Sequence, residues 1–260
     1  MSEFLTTEEY KAIAASLDLP TQAFVDGSFR AAASGKTFES VNPATGAVLA
    51  KVVACGAEDV DFAVGKARDA FEDGRWSRIA PAARKKVLHR LADLIEKHAL
   101  ELAVLGVRDN GTELNMALKA EPGSAAGTFH YYAEAIDKIY GEIAPTSSDV
   151  LGMVHKEPVG VVGAIIPWNF PMMIGAWKLG PALAMGNSVV VKPSETASLS
   201  LLRMCDLALE AGLPAGVLNA VTGEGRVVGE AMGLSMDVDV LAFTGSGGTG
   251  RRLMEYAAQS

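Results

Sequence analysis

The chain has 260 residues, 49% hydrophobic and 21% charged, with a formal net charge of −8. That apolar content fills one large core or two smaller ones. The acidic balance argues against nucleic acid and anionic membrane as partners, because phosphate binding needs clustered Lys and Arg.

The start, Met1-Ser2-Glu3-Phe4-Leu5-Thr6-Thr7-Glu8-Glu9, lacks the basic end and apolar core of a secretion signal. No apolar run nears the ~20 residues of a membrane helix. Two cysteines, Cys55 and Cys205, form no disulfide framework, so the expected compartment is the cytoplasm. Ala23 to Phe29 reads as a hairpin around the Asp26-Gly27 turn, and Asn42-Pro43-Ala44-Thr45-Gly46 as a second turn between two strands. A helix follows from Ala57 to about Phe71. Val87, Leu88, Leu91, Leu94 and Ile95 then form an apolar helical stripe. Arg84-Lys85-Lys86, the densest basic run, reads as a solvated helix face. Gly106 to Gly111 reads as an interruption, with helical character resuming from Phe129 to Ile139. Residues 140–157 read as an antiparallel ribbon apart from the main sheet.

After Glu157 the pattern becomes regular. Strands at Val159–Ile166, Ser188–Val191, Val217–Val221 and Val238–Phe243 alternate with helices at about Met172–Ala184, Leu199–Glu210, Val227–Met232 and Gly250–Ala258. The fold class is therefore α/β: a Rossmann-like parallel sheet with flanking helices and right-handed crossovers. Residues 1–139 are expected to form the first part of a nucleotide-binding domain and 158–260 its core. Ligands bind such sheets at the carboxyl ends of the strands.

Four segments lie at those ends: Trp168-Asn169, Lys192 to Glu195, Thr222 to Gly225, and Thr244 to Gly250. Gly245-Ser246-Gly247-Gly248-Thr249-Gly250 spells G-x-G-x-x-G between a strand and a helix, where backbone N–H groups meet a pyrophosphate. It follows the fourth strand rather than the first, and a plain strand-capping turn has the same composition. Lys192 and Glu195 have two readings from spacing alone. They hold the ribose hydroxyls of an adenine nucleotide, with the carboxylate repelling a 2′-phosphate and so favouring NAD over NADP, or they form a surface ion pair of little energetic weight. Asn169 either donates to an oxygen that becomes negative during reaction or caps the next helix. Cys205 shares a stripe with Leu202 and Leu209 and reads as core, and Cys55 has no base nearby in sequence. His89, His98, His130 and His155 show no metal-ligand spacing, so no metal is expected.

The segments Ile165-Ile166-Pro167-Trp168-Asn169-Phe170-Pro171, Trp177 to Ala184, Gly186-Asn187, Lys192-Pro193-Ser194-Glu195, Glu210 to Val217 and Phe243-Thr244-Gly245-Ser246 together resemble the aldehyde dehydrogenase superfamily. The resemblance covers nearly the whole chain and is closest in flavour to the γ-glutamyl-aminobutyraldehyde and betaine aldehyde branch. It implies NAD-dependent oxidation of a small aldehyde to a carboxylic acid by a homodimer or homotetramer, with the 140–157 ribbon in an oligomerisation arm. It also implies roles. Ile165, Ile166, Pro167, Trp168, Phe243, Thr244 and Gly245 would line the cofactor cleft, and Lys192, Ser194 and Glu195 the ribose. Gly225 and Gly229 would flank the adenine, and Ser246 and Thr249 the pyrophosphate. Asn169 would be an oxyanion donor, Phe170, Ile174 and Trp177 would border the aldehyde, and Lys178 would assist a proton path. The family's Glu-x-Gly-Gly general-base segment and its nucleophilic Cys do not occur within residues 1–260, and Gly247-Gly248 departs from the family's last turn. The expectation is therefore a cofactor-binding part lacking its catalytic domain, with a non-catalytic dinucleotide-binding protein as the alternative. A short-chain reductase is disfavoured, because Tyr131 and Tyr132 are followed four residues later by Ala135 and Ile136, not Lys.

Overall fold

A computed structural model describes residues 4–260. Helix α1 (Thr7–Ser16) starts at Thr6, whose hydroxyl accepts from the Glu9 amide while the Glu9 carboxylate takes the Thr6 amide. The hairpin β1 (Ala23–Val25) and β2 (Ser28–Arg30) is followed by the two-stranded sheet β3 (Thr37–Val41) and β4 (Val48–Val53). Four helices come next: α2 (Ala57–Glu72), α3 (Pro81–Lys97), α4 (Ala99–Asn110) and α5 (Leu114–Ala135). Strands β5 (Glu142–Ala144) and β6 (Gly152–Val154) make a separate antiparallel ribbon with exposed Ile143, Leu151 and Met153.

The last part alternates: β7 (Val161–Ile165), α6 (Pro171–Ala184), β8 (Ser188–Lys192), α7 (Leu199–Glu210), β9 (Leu218–Ala220), α8 (Gly225–Leu234), β10 (Val240–Phe243) and α9 (Gly247–Ala257). The main sheet has six strands in the order β10-β7-β8-β9-β1-β2. Its first four strands are parallel, as the alternation predicts. The early hairpin extends this sheet: β1 pairs antiparallel with β9, and buried Asn219 fixes the join by accepting from the Asp26 amide at 3.0 Å.

Side chains of the parallel strands alternate between two cores. Val162, Ala164, Val189 and Val191 face α3, α5, α6 and α7, whereas Val161, Ile165 and Val190 face α2, α8 and Leu253 of α9. The result is a three-layer sandwich, with α3, α4 and α5 packed behind α6 and α7.

Three local expectations change. Gly106 lies inside α4, which ends only at Gly111 in the left-handed region (φ 76°). Helix α5 begins at Leu114 and runs straight through Pro122, because packing of its Ala117, Ala125, Ala126 and Phe129 on the core outweighs a missing hydrogen bond. At its crossing with α6, a Cβ on Gly180 would stand 2.9 Å from the Tyr132 ring, so glycine sets the helix spacing there. Arg84 is not solvated. It is buried and donates to the carbonyls of Ala184 (3.1 Å) and Ile79 (2.9 Å), tying α3 to the end of α6, while only its neighbour Lys86 is exposed.

Candidate active site

The sheet reverses its strand order at β7. From β7 the chain steps outward to β8 and β9, then returns to β10 on the other side of β7. The crevice outside the carboxyl ends of β7 and β10 is the switch point at which such sheets bind ligands. The Thr244 amide donates to the Ile165 carbonyl there at 3.2 Å, closing the crevice floor.

Lys192 ends β8 with only 2% of its surface exposed. Its Nζ lies 2.9 Å from Glu195 Oε2, and Glu195 Oε1 lies 3.4 Å from the amide of Gly225, the first residue of α8. Lys192 is therefore not a surface residue, and the pair stands at the N-terminus of α8. Burial pulls the deep Lys192 ammonium below its ordinary range, against the pull of Glu195. Burial also pushes the shallower Glu195 carboxyl up, but Lys192 and the Gly225 amide outweigh it and hold the group low. The difference follows depth, since the Lys192 side chain is 3% exposed and that of Glu195 41%. Gly225 has no side chain to cover this pair, and Gly229, one turn on, faces Ile165.

Beside them runs an open cleft of about 400 Å³ between α8 and α9, lined by Gly225, Arg226, Gly229, Gly248, Thr249 and Arg252. Ser246 caps α9 by accepting from the Thr249 amide, 3.3 Å away. The helix begins at Gly247 rather than at Gly250, so both departing glycines lie in its first turn with open space around them. Glycine-lined walls and a helix N-terminus fit a dinucleotide, with Arg252 and Glu230 also lining the cleft and Arg226 paired with Glu224. Arg252 lies beyond the G-x-G-x-x-G motif, one turn into the helix, and spacing offered no signal for it.

At the other end, buried Ile166 and half-buried Pro167 lead to exposed Trp168 and Asn169. The N-cap position of α6 is Phe170, which makes no side-chain cap, and the Asn169 side-chain amide makes no hydrogen bond among the described residues, which removes the capping reading. The capping work falls to Glu121 on α5, a residue without a sequence signal. It is 4% exposed, and its Oε2 accepts from the Met173 amide at 3.0 Å while Oε1 is unpartnered. Burial raises its pKa to about 7, against hydrogen bonds from the Met173 and Met172 amides.

Along α6, Phe170 is half-buried, Ile174 is core and Trp177 is exposed. Half-buried Lys178 donates to Thr244 Oγ1, spanning the crevice from α6 to the end of β10, and burial lowers its pKa. Phe243 packs beside Gly245. Ser194 does not join the Lys192 group: its hydroxyl pairs with Thr196 at 2.9 Å. Both thiols are buried, and burial pushes Cys55 and Cys205 above the ordinary thiol range.

The sequence profile of the aldehyde dehydrogenase family matches residues 29–260. The chain belongs to the aldehyde dehydrogenase family. It is 54% identical over its full length to an aminoacetaldehyde dehydrogenase of Pseudomonas aeruginosa and covers 52% of that protein. It is 51% identical over 247 residues to the NADP/NAD-dependent aldehyde dehydrogenase PuuC of Escherichia coli K12, covering 95% of this chain and 50% of that one. An indole-3-acetaldehyde dehydrogenase of P. syringae in complex with NAD+ and IAA superimposes with a TM-score of 0.97 at 49% identity, over 99% of this chain and 52% of that one. The same TM-score and identity hold for a γ-glutamyl-γ-aminobutyraldehyde dehydrogenase from Burkholderia cenocepacia, over 98% of this chain and 52% of that one. The chain thus spans about half the length of the relatives it matches. Among the described residues no helix is long and apolar enough to cross a membrane.

Proposed function

We propose that this chain supplies the dinucleotide-binding part and one oxyanion donor of an enzyme that oxidises an aldehyde to a carboxylic acid with NAD. The observation that carries the reading is the buried Lys192, paired with Glu195 and held against the first turn of α8 at the carboxyl end of β8. In this reading Lys192 and Glu195 hold the adenosine ribose, and Gly225 and Gly229 leave room for the adenine. Ser246, Thr249 and the N-terminus of α9 meet the pyrophosphate with Arg252, while Ile165, Ile166, Pro167, Trp168, Phe243, Thr244 and Gly245 line the remaining wall. Bound NAD supplies the hydride acceptor.

Asn169 donates its amide N–H to the aldehyde oxygen as that oxygen gains charge. Phe170 and Trp177 border the aldehyde, and Ile174 supports that wall from beneath. Lys178, with its lowered pKa, holds Thr244 and passes a proton at the crevice edge. The attacking thiol is neither Cys55 nor Cys205, since both are buried as neutral thiols. Thiol and general base come from the part of the enzyme outside the matched half. Segments 1–139 and 158–260 form one nucleotide-binding unit, and the exposed apolar ribbon at 140–157 joins copies into a homodimer or homotetramer in the cytoplasm.

The buried thiols favour a second reading for residues 1–260 taken alone: a dinucleotide-binding unit without catalysis. Purified residues 1–260 are expected to bind NAD saturably by calorimetry and not to reduce it with any aldehyde. NAD reduction by that chain overturns the division of labour. In the intact enzyme, Glu195→Gln is expected to relax the preference for NAD over NADP, and an unaltered ratio removes Glu195 from the ribose.

A further inference from the structure

Behind the cleft, α3 and α5 face each other with a row of titratable side chains. His89, Asp93 and Glu96 stand at i, i+4 and i+7 on α3 and share one face, and His130 and Glu134 stand at i and i+4 on α5. Glu134 Oε1 lies 3.0 Å from His89 Nε2, and His89 Nδ1 lies 2.8 Å from His130 Nδ1. His130 Nε2 lies 3.7 Å from Asp93 Oδ1 and 4.0 Å from Glu96 Oε1.

A hydrogen bond from Lys85 holds the Glu134 carboxyl below its usual range, so Glu134 only accepts and His89 Nε2 donates to it. His89 Nδ1 and His130 Nδ1 share one hydrogen bond, which fixes how the two rings face each other. His130 Nε2 faces the carboxylates of Asp93 and Glu96. One imidazole nitrogen and two carboxylate oxygens converge there. Their separations are too long for hydrogen bonds. The two separations from His130 Nε2, 3.7 and 4.0 Å, lie within the about 4.4 Å that two ligands each ~2.0–2.2 Å from one cation can span. One ligand atom from each of Asp93, Glu96 and His130 falls within 4.8 Å of the others. Lys85 is committed to Glu134 at 2.8 Å and Asp137 at 3.3 Å, and Lys138 pairs with the same two carboxylates.

We propose that Asp93, Glu96 and His130 bind a divalent metal ion of the Zn2+ class on the outer helical layer, with water completing the shell. One imidazole nitrogen and two carboxylate oxygens match Zn2+ better than Mg2+ or Ca2+, which take oxygen shells. His89 and Glu134 are positioning residues: they hold the His130 ring with its Nε2 facing the ion, as outer-shell partners do in metal sites. The ion bridges α3 and α5, and none of its ligands lines the dinucleotide cleft.

Calorimetric titration of the intact protein with ZnCl2 tests this, together with a zinc-edge anomalous map of soaked crystals. The expected result is a saturable site with an anomalous peak between Asp93, Glu96 and His130. His130→Ala is expected to lose it by more than the ~10–100-fold that an outer-shell partner costs, and His89→Ala to weaken it within that range. Zinc is also expected to raise the wild-type Tm and not that of His130→Ala. Equal binding by wild type and His130→Ala, a peak only among other side chains, or no saturable binding overturns the site. Unaltered affinity in His89→Ala overturns its positioning role. If His130→Ala fails to fold, Asp93→Asn, on an exposed side chain, gives the same comparison.

Discussion

Glu195 and Glu121 are both carboxylates aimed at the first turn of a helix, one in the cleft and one in the helical layer behind it. Glu195 meets the Gly225 amide of α8 at 3.4 Å, and Glu121 meets the Met173 amide of α6 at 3.0 Å. Lys192 stands beside Glu195, so that carboxyl stays ionised and partly exposed, with its charge available to a ligand. Glu121 has no cation beside it, and burial raises its pKa to about 7. Asp109 repeats the second pattern. It is 1% exposed, accepts from the Leu199 amide of α7 at 2.7 Å and from Ser40 Oγ at 3.2 Å, and burial raises its pKa to about 6. Helices α6 and α7 are thus capped from behind by α5 and α4, while their own N-cap residues Phe170 and Ser198 make no side-chain cap. The same chemical group stays ionised where a cation stands beside it at the cleft, and holds its proton more tightly where burial dominates in the scaffold.

If that division is real, substitutions in the layer move stability and those in the cleft move function. The largest expected effect is on pH dependence at Glu121. An acid whose folded pKa is raised binds its proton more tightly when folded, so its stabilisation is full below about pH 4.5 and is lost as pH rises toward 7. The shift from 4.5 to about 7 corresponds to about 3 kcal/mol. Glu121→Gln is expected to flatten urea-measured stability by about that amount between pH 4.5 and 7, and a slope equal to wild type disproves it. Next comes Asn169→Ala in the intact enzyme, expected to slow the chemical step on the order of 10²-fold with Tm unchanged, because its exposed amide has no partner in the fold. Normal turnover with chemistry rate-limiting argues the donor role away.

Asp109→Ala strands the Leu199 amide and Ser40 hydroxyl and is expected to cost about 1–3 kcal/mol without altering NAD affinity. A changed affinity with unchanged Tm would place Asp109 on the cleft side of the comparison. The smallest effect belongs to Gly225→Ala. The nearest atom to the added Cβ is Lys192 Nζ at 3.9 Å, so stability is expected to change by less than about 1 kcal/mol while NAD binding weakens. Full NAD affinity in that variant means the ligand does not approach α8 at this turn.

The four parallel strands and their helices were legible because buried strands and amphipathic helices carry their own periodicity: β8 is Ser188-Val189-Val190-Val191-Lys192, buried throughout. The strand-end segments were legible for the same reason, since a polar residue after a buried apolar run stands at a sheet edge. Where local signals conflicted with packing, the reading failed. The interruption expected from Gly106 and the late helix start at Phe129 gave way to α4 and α5, which bury Leu102, Leu105, Ala125 and Phe129 across that stretch. Arg84 looks solvated because its partners, the carbonyls of Ala184 and Ile79, have no sequence signature.

By itself the sequence determined the alternation of strands and helices, the family resemblance, and which residues stand at the strand ends. Tertiary structure alone decided their circumstances. It brought Gly225 to Glu195 and Thr244 to Lys178, and placed Glu121 beneath α6 and Asp109 beneath α7. It also set His89 against His130 and two carboxylates against His130 Nε2. The physical reason is range. Periodicity and turn chemistry act over a few neighbouring residues, whereas desolvation and ion pairing depend on what lies across a helix crossing, 41 residues away for His89 and His130 and 52 for Glu121 and Met173.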